Sequence, residues 1–159
     1  LYDDLTVEEN LVLFGGIYGM PRKKVRTKIT ELLNELGFAN QRKTMVKSLP
    51  LGWKQKLAFS VSIFHAPAIV FLDEPTGGVD PATRRAFWEM IDEAVATGTT
   101  VFVTTHYMDE AEYCHRVSIM VDGQIRALGT PARLKQEHGA ASMEEVFIGL
   151  AQTAKRSQS

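Results

Sequence analysis

Asp73 and Glu74 are adjacent carboxylates directly behind the apolar run Ala68-Ile69-Val70-Phe71-Leu72, and Pro75 follows them at once. Two acids so placed can divide the chemistry. One can hold a divalent metal ion through water, and the other can polarise a nucleophilic water. A plain acidic turn after a strand is the alternative. His106 closes a second run, 99–105, rich in β-branched residues. A third segment, Pro50-Leu51-Gly52, opens an apolar stretch at 57–64. The first N–H groups of a helix starting there would point outward and suit an anion such as phosphate. Most helices that begin this way bind nothing.

The two apolar runs read as strands buried on both faces. Between them a helix has clear ends: Asp80 as N-cap, Pro81 at the first position, Phe87, Trp88, Ile91 and Val95 at helical spacing, and Gly98 as the stop. Strand, helix, strand of this length makes a right-handed crossover, so the strands run parallel. Asp73, Glu74 and His106 are then expected at one sheet edge, where open parallel sheets carry their chemistry. Upstream, Thr6 to Glu9 is a capping box opening a helix through Tyr18, and a second helix runs from Arg22 to Leu36. Downstream, a strand at 116–121 turns through Asp122-Gly123 into a return strand at 124–128. Thr130-Pro131 opens a further helix, Ser142 to Glu145 is a second capping box, and the tail from about Gln152 should fray. The expected division is a helical subdomain at 1–65, a core at 66–128, and helices and tail at 129–159.

The 159 residues carry a net charge of −1, which gives no reason to expect a nucleic-acid partner. The basic run at 22–28 reads as a solvated helix face. Cys114 is alone, which excludes a disulfide framework and reads as a buried thiol. No apolar run is long enough to span a bilayer, so a membrane role would come through a partner.

Together and in this order, the segments resemble the ATP-binding subunit of ABC transporters. Residues 49–57 are similar to the signature segment, 69–74 to the Walker B strand with its catalytic glutamate, 76–80 to the D-loop, and Thr105-His106 to the switch histidine. The wording of 105–112 and 142–147 is most similar to ABC-2-type exporters, and 4–11 matches the segment after the Q-loop. The resemblance covers the chain to about residue 150. It implies an α/β fold: a partial P-loop NTPase-like (RecA-like) parallel-sheet core preceded by an α-helical subdomain. It further implies an ATPase coupled to transport, with ATP and Mg²⁺ as cofactors. Asp73 would hold the metal, and Glu74 and His106 would be catalytic. Pro50, Leu51, Gly52, Trp53 and Asp80 would contact nucleotide across a dimer interface with a second ATP-binding domain. The implied partner is a membrane permease, touched by the helical subdomain. The implied place is cytoplasmic, peripheral on the inner face of the plasma membrane.

The sequence also departs from the family's pattern. No G-x-x-x-x-G-K-[ST] P-loop occurs. The family carries it upstream, on a strand between the one ending at His106 and the one at 117. A carboxyl-terminal fragment is therefore expected, with a gap in the sheet, two unpaired edges, self-association and poor ATP binding alone. Pro50 replaces the signature serine, Leu51 its first glycine and Trp53 its glutamine. Phosphate contact from this side should be less specific. Two other readings stay open: a soluble ABC-type ATPase of a nucleic-acid or ribosome machine, and a catalytically weakened regulatory cassette.

Overall fold

The computed structural model describes residues 1–156, with side chains through 154. In chain order it forms α1 (Val7–Ile17), α2 (Arg22–Glu35), α3 (Leu51–Ile63), β1 (Ile69–Asp73), α4 (Pro81–Ala96), β2 (Thr100–Thr104), β3 (Val117–Val121), β4 (Gln124–Gly129), α5 (Pro131–His138) and α6 (Met143–Arg156). Two compact units result, Leu1–Val103 and Thr104–Ser159. The division falls at the end of β2, inside the segment 66–128 that the sequence marks as a core.

In the first unit, local chemistry sets the helix ends. Thr6 Oγ1 accepts from the Glu9 N–H at 3.2 Å while Glu9 accepts from the Thr6 N–H at 2.8 Å, closing the capping box of α1. The apolar stripes of α1, α2 and α3 meet in a core built on Leu11, Ile29, Leu33, Phe38, Leu57 and Phe64. Asn10 is wholly buried there, which a bare polar group would make costly. Its side chain is satisfied by the Tyr2 N–H (2.8 Å) and by the carbonyls of Tyr2 and Thr6 (both 3.0 Å), so it ties the opening segment to α1. Within the basic run, Lys28 Nζ donates to the Phe64 carbonyl at 2.5 Å, where α3 ends.

β1 and β2 form a two-stranded sheet. Thr99 Oγ1 donates to the Pro67 carbonyl and Thr100 N–H to the Ala68 carbonyl, so the strands start side by side and run parallel around α4. The expectation that both strands are buried on both faces is corrected. Along β1 only Val70 is buried, while Ile69 and Phe71 are 52% and 76% exposed. In β2, Phe102 is 56% exposed and stacks on Phe71 at 5.2 Å. Parallel strands read as buried only when both faces are covered, and among the described residues the face shared by these rings is open.

In the second unit, β3 and β4 form a separate antiparallel pair. Asp122 and Gly123 both take positive φ (51° and 73°), the geometry of a two-residue hairpin turn that Asp-Gly favours. Ile119, Leu134, Met143 and Val146 form the core beneath. Cys114 is half-buried, with its Sγ 3.8 Å from the Glu110 carbonyl, rather than fully enclosed. The fraying expected from Gln152 is also corrected: α6 continues to Arg156, and the rest of that expectation lies outside the described residues.

Candidate functional site

Asp73 is the last residue of β1, at its carboxyl end, and is exposed. Glu74 follows with φ of 43°, in the left-handed region that costs a non-glycine residue about 1–2 kcal/mol. The strand path is thus broken at the second acid, and the chain turns into 75–80. That turn closes when the Gly77 N–H donates to the Glu74 carbonyl at 3.1 Å. Thr76 is buried beneath it, and Gly78 takes φ of 77°.

The start of α3 lies against the same turn. Gln55 Nε2 donates to the Gly77 carbonyl at 3.0 Å. A Cβ on Gly78 would stand 3.4 Å from Leu51 Cδ2, so the exposed Leu51 side chain reaches this loop. A Cβ on Gly52 would come within 2.5 Å of Thr83 Cγ2, so the missing side chain there serves the approach of α3 to α4. Pro50 caps α3 without a side-chain bond. Its carbonyl accepts from the N–H groups of Trp53 and Lys54, each at 3.0 Å, which leaves the N–H groups of Leu51 and Gly52 as the outward donors of α3.

Asp80 uses both carboxylate oxygens on α4. Oδ1 accepts from the N–H groups of Ala82 and Thr83 at 3.0 Å, and Oδ2 from Thr83 Oγ1 at 2.6 Å. The Thr83 hydroxyl, followed by its backbone N–H, holds the Asp80 carboxyl below the usual range. Beside Asp73 an open hollow of about 230 Å³ is lined by Gln55, Phe59, Phe71, Pro75 and Phe87 among others. His106 lies in the second unit, two residues past β2. Its turn is fixed by Thr105 Oγ1, which accepts from the Tyr107 N–H at 3.0 Å, and its ring packs 4.2 Å from that of Tyr107.

Residues 18–108 match a family described as "AAA domain, putative AbiEii toxin, Type IV TA system". The chain belongs to this AAA domain family. Its homologues are ABC transporter ATP-binding proteins. A "Probable multidrug ABC transporter ATP-binding protein YbhF" of Escherichia coli K12 is 46% identical over 155 residues, covering 94% of this chain and 27% of that protein. The human "Cholesterol transporter ABCA5" is 36% identical over 150 residues, covering 93% and 9%. Among solved structures, an ATP-binding subunit of an ABC transporter matches with a TM-score of 0.81 and 29% identity, over 94% of this chain and 64% of that one. A cassette in its ADP conformation shares the fold, with a TM-score of 0.75 at 22% identity over 92% and 64%. The P-loop NTPase-like α/β class read from the sequence is therefore the observed class, and the chain spans about a quarter of the length of its bacterial relative.

Two residues expected to contact nucleotide also have partners within the chain. The half-buried Trp53 indole stacks on the buried Phe38 at 4.5 Å and 8° and packs against the helical core. The Trp53 backbone N–H donates to the Pro50 carbonyl, so the outward donors expected at this helix start are those of Leu51 and Gly52. The Asp80 carboxylate likewise caps α4 within the chain. Gln55 was not singled out from the sequence. Lying between Lys54 and Lys56, it reads as one more polar residue on a helix.

Among the described residues no group of three or more His, Cys, Asp or Glu could cage a metal. The donor set at Asp73 instead suits Mg²⁺, which keeps several waters and binds through one or two carboxylates and substrate phosphates. For ATP the residues present supply acids and two helix-end donors, while the glycine-rich cradle that would carry most phosphate contacts is not in the sequence.

Proposed function

We propose that this chain is the Walker B, signature and D-loop portion of an ATPase subunit of an ABC-2-type exporter, powering transport through a separate permease. The observation that carries the reading is the acid pair at the end of parallel β1, with Glu74 bent out of the strand in a left-handed conformation. Bound Mg²⁺·ATP would supply the electrophilic γ-phosphoryl group with its charge partly neutralised. Asp73 would hold the Mg²⁺. Glu74 accepts the proton of the attacking water. His106 steadies the γ-phosphate. The N–H groups of Leu51 and Gly52, at the positive end of α3, meet the phosphate of a second ATP-binding domain across a dimer interface. Asp80 keeps the D-loop in place between them.

The permease contact is assigned to the helices of the first 47 residues. No described helix is long and apolar enough to cross a membrane. In this reading the subunit would sit on the cytoplasmic face through its permease partner. Nucleic acid has no part in the reading. The test is phosphate release by the full-length protein, alone and reconstituted with the permease. Mg²⁺-dependent turnover that rises with the permease supports it, and no turnover in either form sinks it. One second reading has an observation in its favour. Pro50 lacks the serine hydroxyl and the Trp53 ring faces the core, which suits a weakened regulatory cassette. ATP binding without turnover, coupled to altered transport, would select it.

A further inference from the structure

We propose that Gln55 is a positioning residue for Glu74, an inference that rests on the catalytic reading above. The connection is short and fully described. Gln55 Nε2 donates to the Gly77 carbonyl at 3.0 Å, and the Gly77 N–H donates to the Glu74 carbonyl at 3.1 Å. One residue, Gly77, therefore joins the second turn of α3 to the backbone of the second acid. That backbone sits in a conformation a non-glycine residue leaves readily unless its surroundings hold it. The Gln55 Oε1 is buried with no hydrogen-bond partner. Buried amides rarely accept such a loss on one side, and here the orientation is set by the other side. Rotating the amide would set oxygen against the Gly77 carbonyl, so only a donor fits.

The contacts around it run the same way. Leu51 reaches Gly78, and Gly52 abuts Thr83, the residue that Asp80 binds. α3 thus meets the chain at Gly77, at Gly78 and again at Thr83 in α4, and Gln55 supplies the hydrogen bond at the first of these. When the start of α3 moves, Gly77 moves with it, and the Glu74 carboxylate is re-aimed. This gives the signature helix a hold on the general base of its own subunit.

The experiment compares Gln55→Leu, Gln55→Glu, Glu74→Gln and the corresponding double variants in the full-length protein, with Mg²⁺·ATP. Leu keeps the volume without a donor, and Glu keeps the shape but sets an acceptor on the carbonyl. Either single variant should lower kcat by about 10- to 100-fold, the scale of a small misplacement, with the KM for ATP within about twofold. Combined with Glu74→Gln, neither should lower the residual rate further. Should Gln55→Leu fail to fold, judged by circular dichroism, Gln55→Glu carries the same comparison. Unchanged kcat in a folded Gln55 variant, or a loss that multiplies fully with that of Glu74→Gln, overturns this inference and leaves the catalytic reading standing. An unchanged rate in Glu74→Gln itself overturns both.

Discussion

Replacing Gly52 by alanine tests the packing of the start of α3 against the start of α4. The added Cβ would stand 2.5 Å from Thr83 Cγ2, well inside contact distance, while Thr83 Oγ1 and Cβ stay at 3.5 and 3.6 Å. Thr83 cannot simply rotate away. Its hydroxyl donates to Asp80 Oδ2 at 2.6 Å and its N–H to Oδ1 at 3.0 Å, and a β-branched side chain in a helix is stiff at χ1. Overpacking of one methyl against a fixed neighbour costs about 1–3 kcal/mol. Alanine's better helix propensity returns at most about 1 kcal/mol, and less at the second position of a helix than in its interior. The net is a loss of about 1–2 kcal/mol, or a fall in Tm of about 2–8 °C for a chain of this size. Thr83→Ser removes only the clashing methyl and keeps the hydroxyl on Asp80. Gly52→Ala with Thr83→Ser should therefore recover most of the loss in thermal unfolding followed by circular dichroism. A Gly52→Ala protein as stable as the parent, or a double variant no better than the single one, would refute this account of the contact.

Trp53→Ala should destabilise by roughly 3 kcal/mol in urea unfolding, with about 1 kcal/mol of that from the ring pair with Phe38. A side chain facing nucleotide would instead leave stability alone and raise the KM for ATP. Three carboxyls lie below their ordinary values: Glu8 through the Arg42 hydrogen bond, Glu9 through the Thr6 N–H, and Asp80 through the Thr83 hydroxyl. Because each folded value is depressed, their stabilisation is present above the ordinary values of 4.5 for Glu and 3.8 for Asp and is lost as pH falls through the folded ones. Urea midpoints measured from pH 6 to 3 should fall with acid, and Asp80→Asn should flatten that slope. A midpoint independent of pH over this range would contradict the assignment.

Much of this architecture was legible because its signals are local. Thr6 with Glu9, Asp80 with Pro81, Asp122 with Gly123 and Thr130 with Pro131 each satisfy backbone groups within a few residues, so the pattern carries its own geometry. The acid pair at the end of β1 was legible for the same reason. What escaped depends on residues far apart in sequence. Trp53 meets Phe38, Gln55 meets Gly77 and Gly52 meets Thr83 only because α3 is seated against its neighbours, and periodicity says nothing of that seating. The exposure of Phe71 and Phe102 was misread because an apolar run reports what could be buried, while the covering layer must come from elsewhere. Asn10 shows the reverse case: a polar residue inside an apolar helix face was a sign of buried hydrogen bonds and went unread.

The most direct test of the central claim is a single-turnover measurement on the full-length protein, reading nucleotide binding and phosphoryl cleavage separately for Glu74→Gln and Asp73→Asn. The account predicts that Glu74→Gln binds Mg²⁺·ATP normally and cleaves it about 10²–10⁴-fold more slowly, while Asp73→Asn loses the Mg²⁺ dependence of binding. Cleavage at the parent rate by Glu74→Gln would contradict it.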